Sequence, residues 1–189
     1  ILAHRSLRTA GPRSGIFAAQ AGLPAGGGLI PVPRGWSAVN VKARGTWFQF
    51  AMTHLETEAA PPVQEAQAAE LVGVVAGGIS PVVLAGDFNA GPGLAGVTTT
   101  YADLLGAGFR DPWTRLNPSD PGPTCCFDEL LRTGSLTQRV DLTLFRGEVE
   151  PKVSWRTGLD DLTGAGMHAS DHAGVVTIFE IEDRGDDRD

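Results

Sequence analysis

The chain has 189 residues, 42% of them hydrophobic, which is the size and composition of one compact domain with enough apolar side chains for a buried core. Its formal net charge of -7 argues against a protein held on nucleic acid by bulk charge, because such binding depends on many Lys and Arg contacts to phosphates. The longest apolar stretches are far shorter than the roughly 20 residues that cross a bilayer, so no membrane span is predicted.

Residues 1–33 are rich in Gly, Ala and Pro, which predicts loops around one or two short strands. The first three residues show neither an initiator Met nor a signal pattern and look like the middle of a strand, so we expect the true N-terminus to lie upstream and cannot predict localisation. At the other end, residues 180–189 carry six acids and two Arg, which predicts a solvated tail. We expect a domain over residues 1–181 and an acidic disordered tail over 182–189.

Alternating apolar residues predict strands over 36–42 and 47–53, joined at Gly45 into a β-hairpin. A helix is expected to begin at Pro61-Pro62 and to end at Gly77-Gly78, because apolar residues between them follow helical spacing. Residues 81–85 form a β-branched run typical of a strand buried on both faces. A short helix over 101–105 and strands over 140–145 and 174–181 complete the pattern, which indicates an α/β (α+β) layered sandwich.

The two cysteines, Cys125 and Cys126, are neighbours in the chain. Across an ordinary trans peptide their Cα atoms lie about 3.8 Å apart, which is closer than most disulfides tolerate. We therefore expect two free or buried thiols. The C-x-x-C spacing of zinc and thioredoxin-like sites is absent.

Four clusters of polar side chains follow or precede predicted strands. They are Thr53-His54-Leu55-Glu56, Gly86-Asp87-Phe88-Asn89, Gln138-Arg139-Val140-Asp141 and Ser170-Asp171-His172. Clusters at strand ends reach the sheet edge, where ligands tend to bind.

Each cluster also has a structural interpretation when taken alone. A single histidine after a strand, such as His54, is more often a satisfied structural residue. Asp87 and Asn89 fit an Asx-type turn, and residues 170–172 fit a turn or a helix cap. Arg139 and Asp141 point to the same side of a strand and fit a surface ion pair.

Together, and in this chain order, the four clusters resemble the endonuclease/exonuclease/phosphatase superfamily, which includes DNase I-like nucleases, exonuclease III-type repair enzymes, neutral sphingomyelinases and inositol-phosphate phosphatases. The resemblance covers most of the chain and is closest to bacterial members with a Thr-Cys-Cys segment, here residues 124–126, and a Ser-Asp-His-Ala-Gly-Val ending, here residues 170–175. It implies a DNase I-like four-layered sandwich of two mixed β-sheets flanked by helices, with the N-terminal part missing.

The resemblance assigns roles around the scissile phosphate to three residues. His54 matches the histidine that contacts this phosphate and Asp87 the residue that positions or deprotonates the attacking water. Asn89 matches the amide that orients Asp87 and the phosphate.

Three further residues match the charge-stabilising part of such a site. Asp171 matches an acidic residue near the metal, and His172 the histidine that stabilises charge on the phosphoryl oxygens. Asp141 matches the carboxylate that orients this histidine and keeps it cationic. Hydrolysis of a phosphoester needs these elements, because charge builds on the equatorial oxygens during in-line attack.

The implied activity is metal-dependent hydrolysis of phosphoesters, first among them phosphodiesters. Oxygen ligands without a cysteine or histidine cage favour Mg²⁺ or Mn²⁺ over Zn²⁺. The expected partner is a phosphoester substrate, whether a small molecule, a lipid head group or nucleic acid, without a stable nucleic-acid complex and with no indication of oligomeric state.

The match breaks in the first part of the sequence. Family members place an Asn in an early strand and a metal-binding Glu, usually after Gln, well before the Thr-His-Leu element, whereas this chain has no Asp or Glu before Glu56. We therefore expect a truncated gene product that is impaired alone. The alternatives are a catalytically inactive binding or scaffold module with the same fold, and an acid-rich β protein whose motifs are turns.

Overall fold

The structure is a computed structural model that describes residues 1–132, 134–160 and 162–181. Nine strands and three α-helices lie in these ranges. The strands are β1 (Arg8–Ile16), β2 (Gly22–Ala25), β3 (Gly28–Pro31), β4 (Gly35–Ala43), β5 (Thr46–His54), β6 (Val82–Asp87), β7 (Asp141–Arg146), β8 (Glu150–Thr157) and β9 (Gly174–Glu180), and the helices are α1 (Pro61–Ala76), α2 (Thr100–Gly106) and α3 (Pro112–Leu116).

Five strands form a mixed sheet in the order β1-β4-β5-β6-β7, in which only the β5–β6 pair is parallel. The predicted hairpin is confirmed: β4 and β5 are joined by Arg44 and Gly45, which have φ of 46° and 84°. Two positive φ values in a two-residue loop match the right-handed twist of the strands that it joins. This hairpin sets β5 at the centre of the sheet.

Helix α1 connects the two parallel strands and covers one face of the sheet. It begins at Pro61 and ends at Ala76, with Gly77 as its C-cap, as the sequence predicts. Its residues Ala68, Leu71 and Val75 are buried in the main core against the sheet. The helix therefore anchors the segments that follow β5 and precede β6.

Strand β6 is buried on both faces, as its β-branched sequence predicts. Val82 and Leu84 belong to the core under α1, while Val83 lies in a second core with Phe145 and with Phe179 of β9. Successive side chains of a strand point to opposite faces, so β6 contributes to both cores. The layers are therefore helix, five-stranded sheet and the sheet formed by β8 and β9.

The α/β class predicted from the sequence is confirmed, with one difference in the second sheet. In the described part of the chain this sheet contains β8 and β9 alone, and they pair antiparallel instead of forming a mixed sheet. The sequence patterns missed β8 and the short helix α3. Both elements are too short or too irregular in polarity to stand out by periodicity.

The first 33 residues contain more strand than expected. β1 has nine residues, β2 and β3 form a further hairpin, and residues 1–4 are not in a strand. β1 escapes pattern recognition because Gly11 and Pro12 interrupt it. β1 tolerates these two residues because it is an edge strand and its register with β4 shifts between Ala10 and Arg13. At such a shift a proline does not remove a hydrogen bond between strands.

Of the expectation of two free or buried thiols, the burial holds for Cys125, which is 5% exposed, but the thiols themselves are wrong. Cys125 and Cys126 form a vicinal disulfide, and the peptide bond between them is cis, which brings their Cα atoms to 3.1 Å. The expectation assumed the longer Cα separation of a trans peptide.

Two other expectations concern the acidic tail and membrane-spanning helices. The predicted acidic tail over 182–189 lies outside the described residues. In the described ranges no helix combines the length and apolar character that a bilayer crossing requires.

Candidate active site

Three neighbouring strands bring three of the predicted site residues to one edge of the main sheet. His54 ends β5, Asp87 ends β6 and Asp141 begins β7. His54 is the register partner of Asp87, and Asp87 is the register partner of Asp141. Residues directly opposite each other across strands have their side chains on the same face. The sheet register alone therefore sets an imidazole and two carboxylates in a row.

His172 joins this row from the loop that precedes β9. Its Nδ1 lies 2.7 Å from Oδ2 of Asp141, with both side chains about three-quarters buried. A carboxylate bonded to one ring nitrogen fixes the tautomer and the orientation of the ring. The other ring nitrogen, Nε2, is thereby left as the atom that can face a substrate.

Asp87 uses both carboxylate oxygens within the site. Oδ2 lies 3.2 Å from Nε2 of His54, and Oδ1 accepts a hydrogen bond of 2.8 Å from the backbone N–H of Asn89. The contact between Oδ1 and the N–H of Asn89 forms the Asx-type turn that was the structural interpretation of Asp87 and Asn89. Turn and site geometry coexist here, because the two oxygens serve different partners.

Asn89 lies behind Asp87. Its φ is 47°, and its side-chain Nδ2 donates to the carbonyl of Leu55 at 3.0 Å. Its own carbonyl accepts from Gln64 of α1 at 2.9 Å. The side-chain amide therefore ties the end of β6 to the end of β5, and it is the main chain of Asn89 that contacts Asp87.

The environment of Asp87 raises the pKa of its carboxyl group. Burial is the main cause, and the neighbouring charge of Asp141 adds to it, whereas the N–H of Asn89 and the two histidines act in the opposite direction. A carboxyl group with a raised pKa is a better proton acceptor than an ordinary aspartate. Asp87 is thus suited to positioning and deprotonating a water molecule.

The two histidines are shifted in opposite directions. Burial lowers the pKa of His54 and the charges of Arg34 and His172 lower it further, against the opposing effect of Asp87. Burial also acts to lower the pKa of His172, but the hydrogen bond and charge of Asp141, with the charges of Asp87 and Asp171, outweigh it and raise this pKa. The arrangement favours a neutral His54 and a cationic His172.

The carboxylates of Asp87 and Asp141 could hold a divalent cation, since one oxygen of each lies within 4.8 Å of the other, whereas the cationic His172 beside them has no free lone pair for a metal. Two carboxylate oxygens are hard donors for such a cation. Asp171, the predicted metal ligand, is exposed and does not belong to this pair. Its carbonyl accepts from the N–H of Phe127 at 3.0 Å, and its charge contributes to the raised pKa of His172.

Arg34 and Glu56 lie beside the row and had no predicted role. Their side chains are 17% and 10% exposed, and Arg34 Nη2 and Glu56 Oε1 are 3.9 Å apart. Arg34 Nε and Glu56 Oε2 are buried and have no hydrogen-bond partner among the described residues. The charge of Arg34 acts on His54. Gln20 holds the backbone N–H and carbonyl of Arg34. No local signal in the sequence indicates this long-range pairing.

The vicinal disulfide adjoins the site as well. Cys125 forms isolated backbone bridges with Gln138 and with His172. The Thr-Cys-Cys segment thus lies between the strand that carries Asp141 and the loop that carries His172.

No protein-family model and no curated protein sequence matches the chain significantly. Solved structures do match its fold. They include D. rerio TDP2 complexed with a single-strand DNA product, at 17% identity and a TM-score of 0.65 over 93% of this chain and 69% of that one. A mannosyl-6-phosphatase from Bacteroides thetaiotaomicron has 17% identity and a TM-score of 0.65 over 93% and 67%.

A third match is an endonuclease/exonuclease/phosphatase protein from Beutenbergia cavernae, with 18% identity and a TM-score of 0.61. It aligns with 89% of this chain, which spans only 53% of the B. cavernae protein. Identities this low establish the architecture and leave the activity to the chemistry of the site. This chain has the DNase I-like fold, which it shares with these solved structures.

Proposed function

We propose that the chain belongs to a metal-dependent phosphoesterase that hydrolyses phosphodiesters by in-line attack of an activated water. The observation that carries this proposal is the row His54–Asp87–Asp141–His172 at one edge of the main sheet. It combines a buried carboxyl group with raised pKa and a histidine paired to a carboxylate. In-line hydrolysis needs both a base for water and positive charge on the phosphoryl oxygens.

Each residue of the row has a defined task in this proposal. Asp87 positions the water and accepts its proton, which its raised pKa favours. His172, held by Asp141, directs Nε2–H to the phosphoryl oxygens as their negative charge grows. His54, whose pKa is lowered, contacts the phosphate as a neutral hydrogen-bond donor. Asn89 fixes Asp87 through its backbone N–H.

The carboxylates of Asp87 and Asp141 would hold Mg²⁺ or Mn²⁺, because hard divalent cations prefer oxygen ligands. Such an ion, when bound, neutralises charge on the substrate phosphate. Asp171 lies next in sequence to His172 and is proposed as an outer acidic residue of the same site. The absence of any Asp or Glu before Glu56 leaves the set poor in carboxylates, so we expect weak metal binding by these 189 residues alone.

The substrate class is narrowed by charge and by the structural neighbours. One neighbour carries a single-strand DNA product and another is a mannosyl-6-phosphatase, so this fold accommodates both nucleotide and sugar phosphates. The net charge of -7 disfavours a long nucleic acid. We propose a small phosphodiester or a short nucleic-acid end.

An inactive binding or scaffold module with the same fold is the second candidate. It is favoured by the lack of an acidic residue before Glu56, since the resemblance implies a metal-binding Glu there. The two candidates differ in a single measurable property, which is metal-dependent turnover.

Hydrolysis of bis-(p-nitrophenyl) phosphate and of p-nitrophenyl phosphate, measured with Mg²⁺, with Mn²⁺ and with EDTA, tests the proposal. We expect slow, EDTA-sensitive turnover of the diester and a loss of about 100-fold in His172→Ala and in Asp87→Asn. His4→Ala, at an exposed position outside the row, is the control and should keep the wild-type rate.

Two results would overturn parts of the proposal. No EDTA-sensitive turnover by the wild-type chain would favour the scaffold candidate. A His172→Ala rate within about threefold of wild type would remove the role assigned to His172.

A further inference from the structure

Thr124 lies at the start of the Thr-Cys-Cys segment and has no role in the row of site residues described above. We propose that Thr124 is a positioning residue that holds Asp141 and His172 in their hydrogen-bonded geometry. The inference deepens the proposed function and rests on it, because it concerns how the same site is built.

The hydroxyl group of Thr124 holds the strand that carries Asp141. Thr124 is 0% exposed. Its Oγ1 accepts from the backbone N–H of Val140 at 3.2 Å and from that of Asp141 at 3.1 Å. A hydroxyl oxygen has two acceptor lone pairs, and both are directed at the start of β7. The backbone position from which the Asp141 side chain departs is therefore set by this hydroxyl.

The main chain around Thr124 holds the loop that carries His172. The carbonyl of Thr124 accepts from the N–H of Ala173 at 2.8 Å, and the N–H of Phe127 donates to the carbonyl of Asp171 at 3.0 Å. These bonds lie on either side of His172 in the chain. Residues 124–127 therefore fix the backbone on both flanks of His172.

Residues 124–127 thus contact both the chain around Asp141 and the chain around His172. These two residues are 31 positions apart in sequence, and Asp141 Oδ2 lies 2.7 Å from His172 Nδ1. The segment is itself tied to the residues before β7 by the N–H groups of Thr124 and Cys125, which donate to the carbonyl of Gln138 at 2.7 and 2.9 Å. A displacement of about 1 Å in a catalytic group can cost on the order of 100-fold in rate. Because Thr124 positions the backbone of both Asp141 and His172, it controls the geometry of the hydrogen bond between their side chains.

The hydroxyl and the methyl group of Thr124 can be separated by substitution. Thr124→Val keeps the shape and removes both accepted hydrogen bonds, whereas Thr124→Ser keeps the hydroxyl and removes the methyl group. Thr177→Val is a matched control, because Thr177 Oγ1 is hydrogen-bonded to Ser154 Oγ at 2.9 Å in the second sheet, away from the row. If Thr124→Val does not fold, Thr124→Ala is used in its place, because the smaller side chain leaves room for water to solvate the N–H groups of Val140 and Asp141.

The first readout is the proton NMR signal of the His172 Nδ1–H, which lies downfield of the amide region when it is hydrogen-bonded to Asp141 and which disappears in His172→Gln. This signal requires no turnover. The second readout is kcat and KM for bis-(p-nitrophenyl) phosphate with Mg²⁺. Circular dichroism and a thermal melt establish that each variant is folded.

We expect Thr124→Val to lose the downfield signal and to lower kcat at least tenfold with KM within about threefold, while Thr124→Ser and Thr177→Val stay within about threefold of wild type. The inference is overturned if folded Thr124→Val keeps both the signal and kcat, or if Thr124→Ser is as impaired as Thr124→Val. A wild-type chain that shows the signal without hydrolysis would contradict the proposed function, and the signal alone would then decide the role of Thr124.

Discussion

Asp87 and Asp141 are neighbouring carboxylates, and each of them has its own histidine. His54 contacts Asp87 at 3.2 Å and His172 contacts Asp141 at 2.7 Å. The pKa of His54 is lowered and that of His172 is raised, so one imidazole is favoured neutral and the other cationic. Pairs of titratable groups whose pKa values are moved apart by their surroundings mark different roles in proton transfer and charge stabilisation.

The raised pKa of His172 predicts a pH-dependent contribution to stability. The pKa of His172 is higher in the folded chain than in the unfolded chain. Its contribution to the unfolding free energy is therefore complete at pH values below the unfolded-state pKa, and it is lost as pH rises through the folded-state pKa. In metal-free buffer, the unfolding free energy of wild type minus that of His172→Gln should therefore fall as pH rises from about 6. Urea unfolding across pH measures it, and a difference that grows with pH would contradict the prediction.

The matched control for this measurement is Asp141→Asn. The hydrogen bond and charge of Asp141 are the main causes that raise the pKa of His172. In the Asp141→Asn background, the stability difference produced by His172→Gln should therefore decline less with rising pH.

Arg139 forms a buried ion pair behind the site. Its Nη1 lies 2.7 Å from Oδ2 of Asp111, and the two side chains are 6% and 4% exposed. Arg139→Met leaves the Asp111 carboxylate buried without its cation, which should cost about 3–5 kcal/mol of unfolding free energy in urea denaturation. Arg115→Met is the control, because its pair with Glu150 is exposed and should contribute no more than about 1 kcal/mol. Equal losses in the two variants would disprove the distinction.

At the scale of elements, the site depends on how closely β6 approaches β5. Gly86 precedes Asp87, has φ of 149°, and a Cβ added there would overlap the carbonyl oxygen of Thr53. Glycine tolerates both the backbone conformation and the contact. The register that sets Asp87 opposite His54 therefore requires glycine immediately before Asp87.

Substitution by alanine at two glycines tests this requirement. Gly86→Ala should lower the unfolding free energy by about 2–4 kcal/mol, because the added methyl group meets the backbone of β5. Gly73→Ala lies in the interior of α1, where no atom of the described ranges is within 4 Å of the added Cβ, and should raise stability by roughly 0.5–1 kcal/mol. Thermal melts compare them, and a neutral Gly86→Ala would show that β5 and β6 can separate without loss.

For the molecule as a whole, the two faces of the layered structure differ in how they are covered. The core under α1 is closed by the helix, whereas β8 and β9 present apolar side chains to solvent on their outer side. Val153, Trp155 and Ile178 are 42%, 41% and 50% exposed. Contiguous exposed apolar side chains favour association between molecules.

The 189-residue chain is therefore expected to self-associate or to have low solubility in isolation. Light scattering at increasing concentration should show a rising mean mass, and Trp155→Ser combined with Ile178→Thr should reduce it by shrinking the apolar face. A monodisperse wild-type monomer with a cooperative melt would contradict this prediction.

Much of the fold was predictable because its signals are local. The β4–β5 hairpin, α1 between Pro61 and Gly77, and β6 as a fully buried strand follow from periodicity and turn residues within short windows. β1 was not predictable from local signals, because Gly11 and Pro12 break its alternating pattern and it becomes a strand only by pairing with β4.

The sequence by itself determined the chemistry that the chain carries: two histidines and several carboxylates near the ends of predicted strands, in an order that resembles one superfamily, and an acidic net charge. The tertiary structure decided which of these groups meet. It put Asp141 against His172, left Asp171 exposed, and turned Thr124 toward the backbone of Asp141. The reason is physical: residue types and local spacing determine local conformation, whereas these contacts depend on strand register and loop packing between distant parts of the chain.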